Sequence, residues 1–203
     1  KDKNGELVYD KKSFIRNTKN FGLPQNRPRV YIVAFSREYY GKHLEMLPKE
    51  TPTEGRKEIF HSVLDILQPK VSEKYFLSSG LLKTLENHKT RQKNNGNGFG
   101  YRIVNDTTAD RPLAHTILAT GGSGKERNLI YDPVNGKSII GKDVPPKKTP
   151  INDKCIRTMT PEEWGRLQGF IGYAFLDENG TERFSFPEKM SDQQMFKQFG
   201  NSV

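Results

Sequence analysis

Residues 29–35, Arg-Val-Tyr-Ile-Val-Ala-Phe, constrain the fold of this chain more than any other stretch. β-Branched and aromatic residues dominate a short apolar run, and the breakers Pro24 and Pro28 stand before it, so a buried strand is expected. A strand needs neighbours, and few others are legible. Residues 116–119 (Thr-Ile-Leu-Ala) and 128–131 (Asn-Leu-Ile-Tyr) read as two strand-like pieces separated by the glycine-rich residues 121–127. Helical signals surround them. Ile59, Phe60, Val63, Ile66 and Leu67 fall at helical spacing within residues 57–67, where Pro69 would end the run, and residues 79–87 suit a second short helix. Residues 89–100 turn polar and rich in Gly and Asn, which predicts a mobile loop, and residues 142–150, with Pro145-Pro146-Lys147-Lys148, read as a linker. Thr160-Pro161-Glu162-Glu163 is a capping box with Pro at the first helical position, ahead of Trp164 and Leu167, and Gly169 suits the stop. Ser191-Asp192-Gln193-Gln194 repeats that logic before Met195, Phe196 and Phe199, with Gly200 as the next stop. There is no internal repeat.

The charge balance narrows the partner. Lys and Arg number 33 against 24 Asp and Glu, a formal net charge of +9, which supplies sequence-independent attraction to a polyanion without separating DNA from RNA or an acidic membrane surface. With 33% hydrophobic residues, including 12 Phe and 8 Tyr, the chain can still build a modest core. No apolar stretch approaches the roughly 20 residues of a membrane helix, and Lys1-Asp2-Lys3-Asn4 begins no signal peptide, so an intracellular, cytoplasmic protein with no membrane partner is expected. Cys155 is the single cysteine, which excludes an intrachain disulfide and a thiolate cluster, and His43, His61, His88 and His115 are too far apart for a local ligand motif. No metal is expected. Cys155 also lacks a neighbouring base and reads as a structural thiol.

Gln25-Asn26-Arg27-Pro28-Arg29 is the most informative short motif near the start. On an extended chain Gln25, Arg27 and Arg29 share one side, and Pro28 forces Arg27 towards extended geometry and tolerates only a strand's first position or edge. Two guanidiniums presented there would form a cationic fork suited to phosphate or a base carbonyl. From the pentapeptide alone, two surface arginines anchoring a strand end is the favoured reading. Gly121-Gly122-Ser123-Gly124-Lys125 fails as a P-loop, because Ala119 stands where the first Gly is needed and Glu126 where Ser or Thr is needed. Gly96-Asn97-Gly98-Phe99-Gly100 departs from the dinucleotide fingerprint and follows a polar tract. Both stretches remain glycine-rich loops with basic edges: Lys89, Arg91, Lys93 and Arg102 around one, Lys125 and Arg127 around the other. Such loops suit a duplex groove, with Arg102 and Arg127 able to read a guanine edge, although flexible loops with solvated charges fit equally well at this point.

Three stretches in order resemble the last three conserved blocks of cytosine-5 DNA methyltransferases: residues 21–30 (Phe-Gly-Leu-Pro-Gln-Asn-Arg-Pro-Arg-Val), residues 157–170 (Arg-Thr-Met-Thr-Pro-Glu-Glu-Trp-Gly-Arg-Leu-Gln-Gly-Phe) and residues 198–203 (Gln-Phe-Gly-Asn-Ser-Val). The resemblance implies that the interval between the first two is the variable target-recognition domain, and that Thr116-Ile117 matches the family's Thr-Leu or Thr-Val dipeptide before a recognition loop. It further implies that Arg29 contacts the O2 edge of a flipped cytosine while Arg27 supports it and the DNA backbone. Arg102, Thr116, Gly121, Gly122, Lys125 and Arg127 would then bind DNA, Asn201 and Ser202 would return to the S-adenosyl-L-methionine site, and Arg157, Glu163 and Arg166 would organise the recognition domain.

The fold it implies is α+β: a small β-rich target-recognition domain, plus a strand and helices belonging to an α/β methyltransferase catalytic domain. Residues 1–35 would end the catalytic domain, 36–154 form the recognition domain, and 155–203 return to the catalytic and cofactor lobe. The family's early blocks are missing, namely Phe-x-Gly-x-Gly, Pro-Cys-Gln with the nucleophilic cysteine, and Glu-Asn-Val. The chain alone is therefore expected to be inactive and to need an N-terminal catalytic half, as a truncated piece or the second half of a split enzyme. Double-stranded DNA is the expected partner and restriction–modification the expected setting. A freestanding DNA-binding module and an RNA-directed relative are the rival readings.

Overall fold

The computed structural model describes residues 14–46, 51–98, 100–120 and 128–202. Its elements are short. The strands are β1 (Ile15–Asn17), β2 (Gln25–Asn26), β3 (Pro28–Val30), β4 (Arg102–Ile103), β5 (Ala114–His115), β6 (Asn128–Tyr131) and β7 (Ile156–Thr158); the helices are α1 (Arg37–Tyr40), α2 (Ser79–Asn94), α3 (Pro133–Gly136), α4 (Pro161–Leu167) and α5 (Asp192–Asn201). β1 pairs antiparallel with β3, placing Arg16 opposite Arg29, and β2 pairs parallel with β5, placing Gln25 opposite Ala114. In the remaining sheet β6 is central, parallel to β4 and antiparallel to β7.

Residues 29–35 do not form the buried strand expected of them. Pairing ends at Val30, and beyond it Ile32 is 79% exposed, with Tyr31, Val33 and Phe35 exposed as well. Among the described residues the run has only three-residue β1 for a strand neighbour, and a two-stranded ribbon has no second layer to cover an apolar face. Residues 57–67 deliver Val63 and Ile66 to the core through a single 3-10 turn, Val63–Ile66, instead of a helix. The amides of Ile59 and Phe60 both donate to Gly22 O at 2.9 Å, which removes them from any helical ladder. Helix α2 starts where expected but continues to Asn94, so Lys89, Arg91 and Lys93 ride on a helix and not in a loop. Cations in a last turn complement the exposed carbonyls there. Strand pairing falls on Ala114–His115 in place of residues 116–119. Residues 142–150 have no regular structure, yet Val144 is buried with Phe76 and Ile151, so the segment is packed and does not act as a free linker.

Helix α4 follows its sequence signals closely, with the Thr160–Glu163 capping box, Pro161 in its first turn and Gly169 in left-handed conformation just beyond. Helix α5 has the expected Ser191–Gln194 box but passes through Gly200 to Asn201. Gly200 serves a close approach there: a Cβ on it would lie 2.4 Å from the backbone of Leu118 and Ala119. The main core draws Val63, Ile66, Ala114, Ile117 and Ile130 together with Met159, Trp164, Leu167, Phe196 and Phe199, so residues on both sides of position 154 share one core.

A buried ionic cluster fastens α4 to that core. Arg157, 1% exposed, donates through Nε to Asp132 and through both terminal nitrogens to Glu163, each at 2.8 Å. Glu163 also accepts the amides of Gln68 and Thr160. Burial works against the charge on Arg157, but the bonds to Glu163 and Asp132 outweigh it and hold the guanidinium above its ordinary value. Burial likewise opposes ionisation of Asp132, which the amide of Asn135 and the guanidinium of Arg157 nevertheless keep below the usual carboxylate range.

Candidate nucleic-acid interface

The alternation expected for the Gln25–Arg29 motif is present. Gln25 and Arg27 are buried and Arg29 half-buried, while Asn26, Pro28 and Val30 face out. The paired fork does not form. Arg27 turns inward and donates to Ile117 O at 2.9 Å, Gly200 O at 3.3 Å and Ser202 O. Burial first, then the neighbouring charge of Arg29, pushes Arg27 down to about 10, so it stays cationic at neutral pH. Arg29 spends Nη1 on the adjacent Pro28 O at 2.7 Å. Both polar atoms of the Gln25 amide and Arg27 Nε have no protein partner among the described residues, and a buried polar group left without any partner costs about 1–3 kcal/mol.

The outward face of the same motif borders a cleft of about 310 Å³. Asn26 and Pro28 form one wall, Gly98, Gly100 and Arg102 another, and His115, Thr116 and Leu118 close it. Thr116 is anchored, its hydroxyl donating to Asn26 O at 2.9 Å. His115 is held by the side chain of buried Asn128, whose amide accepts from His115 N and donates to His115 O, imitating a strand neighbour. Two expected DNA-binding residues, Arg102 and Thr116, therefore meet at one place. Gly121, Gly122, Lys125 and Arg127 lie outside the described residues. Asn201 and Ser202 end α5 behind Arg27: Asn201 is exposed, and the Ser202 hydroxyl donates to Phe199 O.

Asn26 and His115 were missed by the sequence reading. The alternation that picked out Gln25, Arg27 and Arg29 already placed Asn26 on the opposite, outward side, and His115 adjoins Thr116. Beside the cleft, Gly100 abuts the side chain of Lys89, whose ammonium lies 4.8 Å from the ring centroid of Tyr101. A larger hollow of about 750 Å³ opens over Tyr131 and Ile156, but its rim mixes Asp106 and Asp153 with Lys137 and Lys154 and offers no net attraction for phosphate.

Cys155 is buried, in left-handed backbone conformation, and burial pushes its thiol up, the wrong direction for a nucleophile. Alkylation of Cys155 by iodoacetamide at neutral pH is accordingly expected to be far slower than that of free cysteine, followed by intact-mass spectrometry. Labelling at the rate of free cysteine would return this thiol to the candidates for chemistry. Among the described residues no group of three or more His, Cys, Asp or Glu could hold a metal ion, and no helix is long and apolar enough to cross a membrane.

Residues 2–203 match the family model described as C-5 cytosine-specific DNA methylase. The chain is 38% identical over 190 residues to the type II methyltransferase M.HpaII of Haemophilus parainfluenzae, covering 93% of this chain and 46% of that protein. It is 32% identical over 198 residues to the type II methyltransferase M1.ScrFI of Lactococcus lactis subsp. cremoris, covering 98% and 41%. Among solved structures, the Entamoeba histolytica methyltransferase EhMeth shares the fold, with a TM-score of 0.51 at 20% identity over 93% of this chain and 48% of that one. The chain thus spans less than half the length of the curated relatives it matches.

Proposed function

This chain belongs to the C-5 cytosine-specific DNA methylase family, whose members use S-adenosyl-L-methionine, and from that premise we propose that it is the target-recognition and C-terminal part of a restriction–modification DNA methyltransferase. The observation that carries this reading is the cleft. One wall comes from the Gln25–Arg29 block and the others from the interval between the conserved blocks, so a base presented at the first would be read by the second. The net charge of +9 supplies the sequence-independent attraction to duplex DNA.

In the complete enzyme a cytosine leaves the duplex and a cysteine from the other half attacks C6. When bound, S-adenosyl-L-methionine supplies the methyl group for C5. Arg29, half-buried at the edge of β3 with donors to spare, holds the O2 edge of the base, while Arg27 supports it from behind. Asn201, the exposed amide at the end of α5, suits one margin of the cofactor, and Ser202 fixes the turn through its bond to Phe199 O. The exposed residues Val30 to Phe35 find their cover on the sheet of the N-terminal catalytic half, which brings the nucleophile and most of the cofactor site. Residues 1–35, 36–154 and 155–203 then divide functionally as catalytic edge, recognition domain and return to the cofactor lobe, even though the last two share a core.

The test is transfer of tritiated methyl groups from S-adenosyl-L-methionine to mixed plasmid DNA, with structured RNA as competitor. Folded chain alone should give none, and chain joined to its catalytic half should give transfer that duplex DNA, and not RNA, competes away. Transfer by the chain alone, or preference for RNA, would overturn the reading. A division of labour follows: Arg102→Ala should relax base preference by about 1–3 kcal/mol at one position. Lys89→Ala and Lys93→Ala should instead weaken all duplexes alike and flatten the salt slope by about 1 each, read by fluorescence anisotropy across a salt series. Equal effects from both classes would remove the distinction.

A further inference from the structure

The Arg27 guanidinium joins two places that are far apart in sequence. Its Nη1 holds Ile117 O, 90 residues away, and its Nη2 reaches Gly200 O and Ser202 O, 173 and 175 residues away. Ile117 lies between Thr116 and Leu118, both of which line the cleft, while Gly200 and Ser202 flank Asn201 at the end of α5. The contact is tight as well as polar, because the backbone of Leu118 and Ala119 rests where a Cβ on Gly200 would be. The preceding residue completes the clamp, Asn26 O accepting from Thr116 and Asn26 pairing with His115. A planar fork can bridge carbonyls on two segments at once, whereas a lysine ammonium concentrates its donors at one point.

We propose that Arg27 is a positioning residue that locks residues 116–119, which carry the cleft-lining Thr116 and Leu118, to the cofactor end of α5, so that occupancy at α5 is felt in the DNA cleft. This rests on the functional reading above. It also replaces the earlier picture of Arg27 beside Arg29 as a second outward donor. Coupling of this kind is reciprocal: ligand at one end and cognate DNA at the other tighten each other by the same factor, typically about 5–150-fold.

The experiment uses the complete methyltransferase and S-adenosylhomocysteine as probe. Calorimetry first establishes that the probe binds; no binding would sink the functional reading itself and not merely the lock. With binding shown, hydrogen exchange without DNA should slow at the amides of residues 117–120 when the probe is added, and unchanged exchange there overturns the lock. Anisotropy should then show the probe tightening cognate duplex at least fivefold in the parent and less than twofold in Arg27→Lys, with the thermal midpoint recorded alongside. Retention of the parental factor by a folded Arg27→Lys also overturns the proposal. Should that variant fail to fold, the exchange measurement on the parent decides.

Discussion

Glu163→Ala is expected to destabilise the fold by about 3–5 kcal/mol, because it removes the two-point partner of a buried guanidinium, leaving Asp132 as the one carboxylate on Arg157 and Nη2 without its acceptor. The same side chain closes the α4 capping box and accepts the amide of Gln68, so the loss is spread over Arg157, Thr160 and Gln68 at once. Urea unfolding gives the value directly. A cost below about 1 kcal/mol, the size of an ordinary surface substitution, would mean that α4 is held by Trp164 and Leu167 alone. Replacing Arg157 with Met, Glu163 with Leu and Asp132 with Asn together should cost far less than the sum of the single losses, since no unpaired charge then stays buried. The network also sets an acid limit. Asp132 has its folded value depressed, so its contribution is fully present above its unfolded value near 3.9 and is lost as the pH falls through the lower folded one. Urea midpoints should therefore hold between about pH 6 and pH 5 and decline below pH 4, and Asp132→Asn should flatten that decline.

Arg29→Ala in the complete enzyme should lower kcat/KM by about 10²–10³, the range expected when a donor aimed at developing charge is removed. Attack at C6 drives electron density towards the N3–O2 edge of the ring, where a guanidinium would meet it. Among the described residues the Arg29 side chain bonds only to the neighbouring Pro28 O and is half-buried, so stability should change by no more than about 0.5 kcal/mol. Arg29→Lys should recover little, because an ammonium lacks the planar pair of donors. Single-turnover methyl transfer separates the chemical step from product release. An unchanged rate with folded protein would take Arg29 out of the reaction and leave the base edge to another residue.

The elements legible in the sequence were those specified locally. Helix α4, the start of α5 and strand β6 emerged where expected, because Thr160, Pro161 and Ser191 act within one turn and the Asn128–Tyr131 run is short and apolar. The misread segments depended on distant partners. Gly22 O takes two amides that residues 57–67 would have used for a helix, and residues 29–35 find only three-residue β1 as a strand partner among the described residues. Helix α2 runs beyond residue 87 although the polarity of the following residues predicts a loop, because Arg91 and Lys93 in its last turn favour a helix end. For the cleft, Arg102 and Thr116 stand apart in the sequence as separate DNA-binding candidates, and both line it in the fold. What brings them together is the Asn128 side chain standing in for a strand, which no spacing rule reveals. The inward turn of Arg27 was hidden for the same reason, since all three of its acceptors are backbone carbonyls far along the chain.

The bare apolar ribbon from Val30 to Phe35 also bears on handling and biogenesis. An exposed β-branched segment is a template for any similar edge it meets, including that of another copy. Shelf life and yield of this polypeptide should thus be governed by concentration and by how long that ribbon waits uncovered, more than by the depth of its folding well. Lysine or proline placed at Ile32 would act as a gatekeeper against self-association during purification, at the expense of later docking.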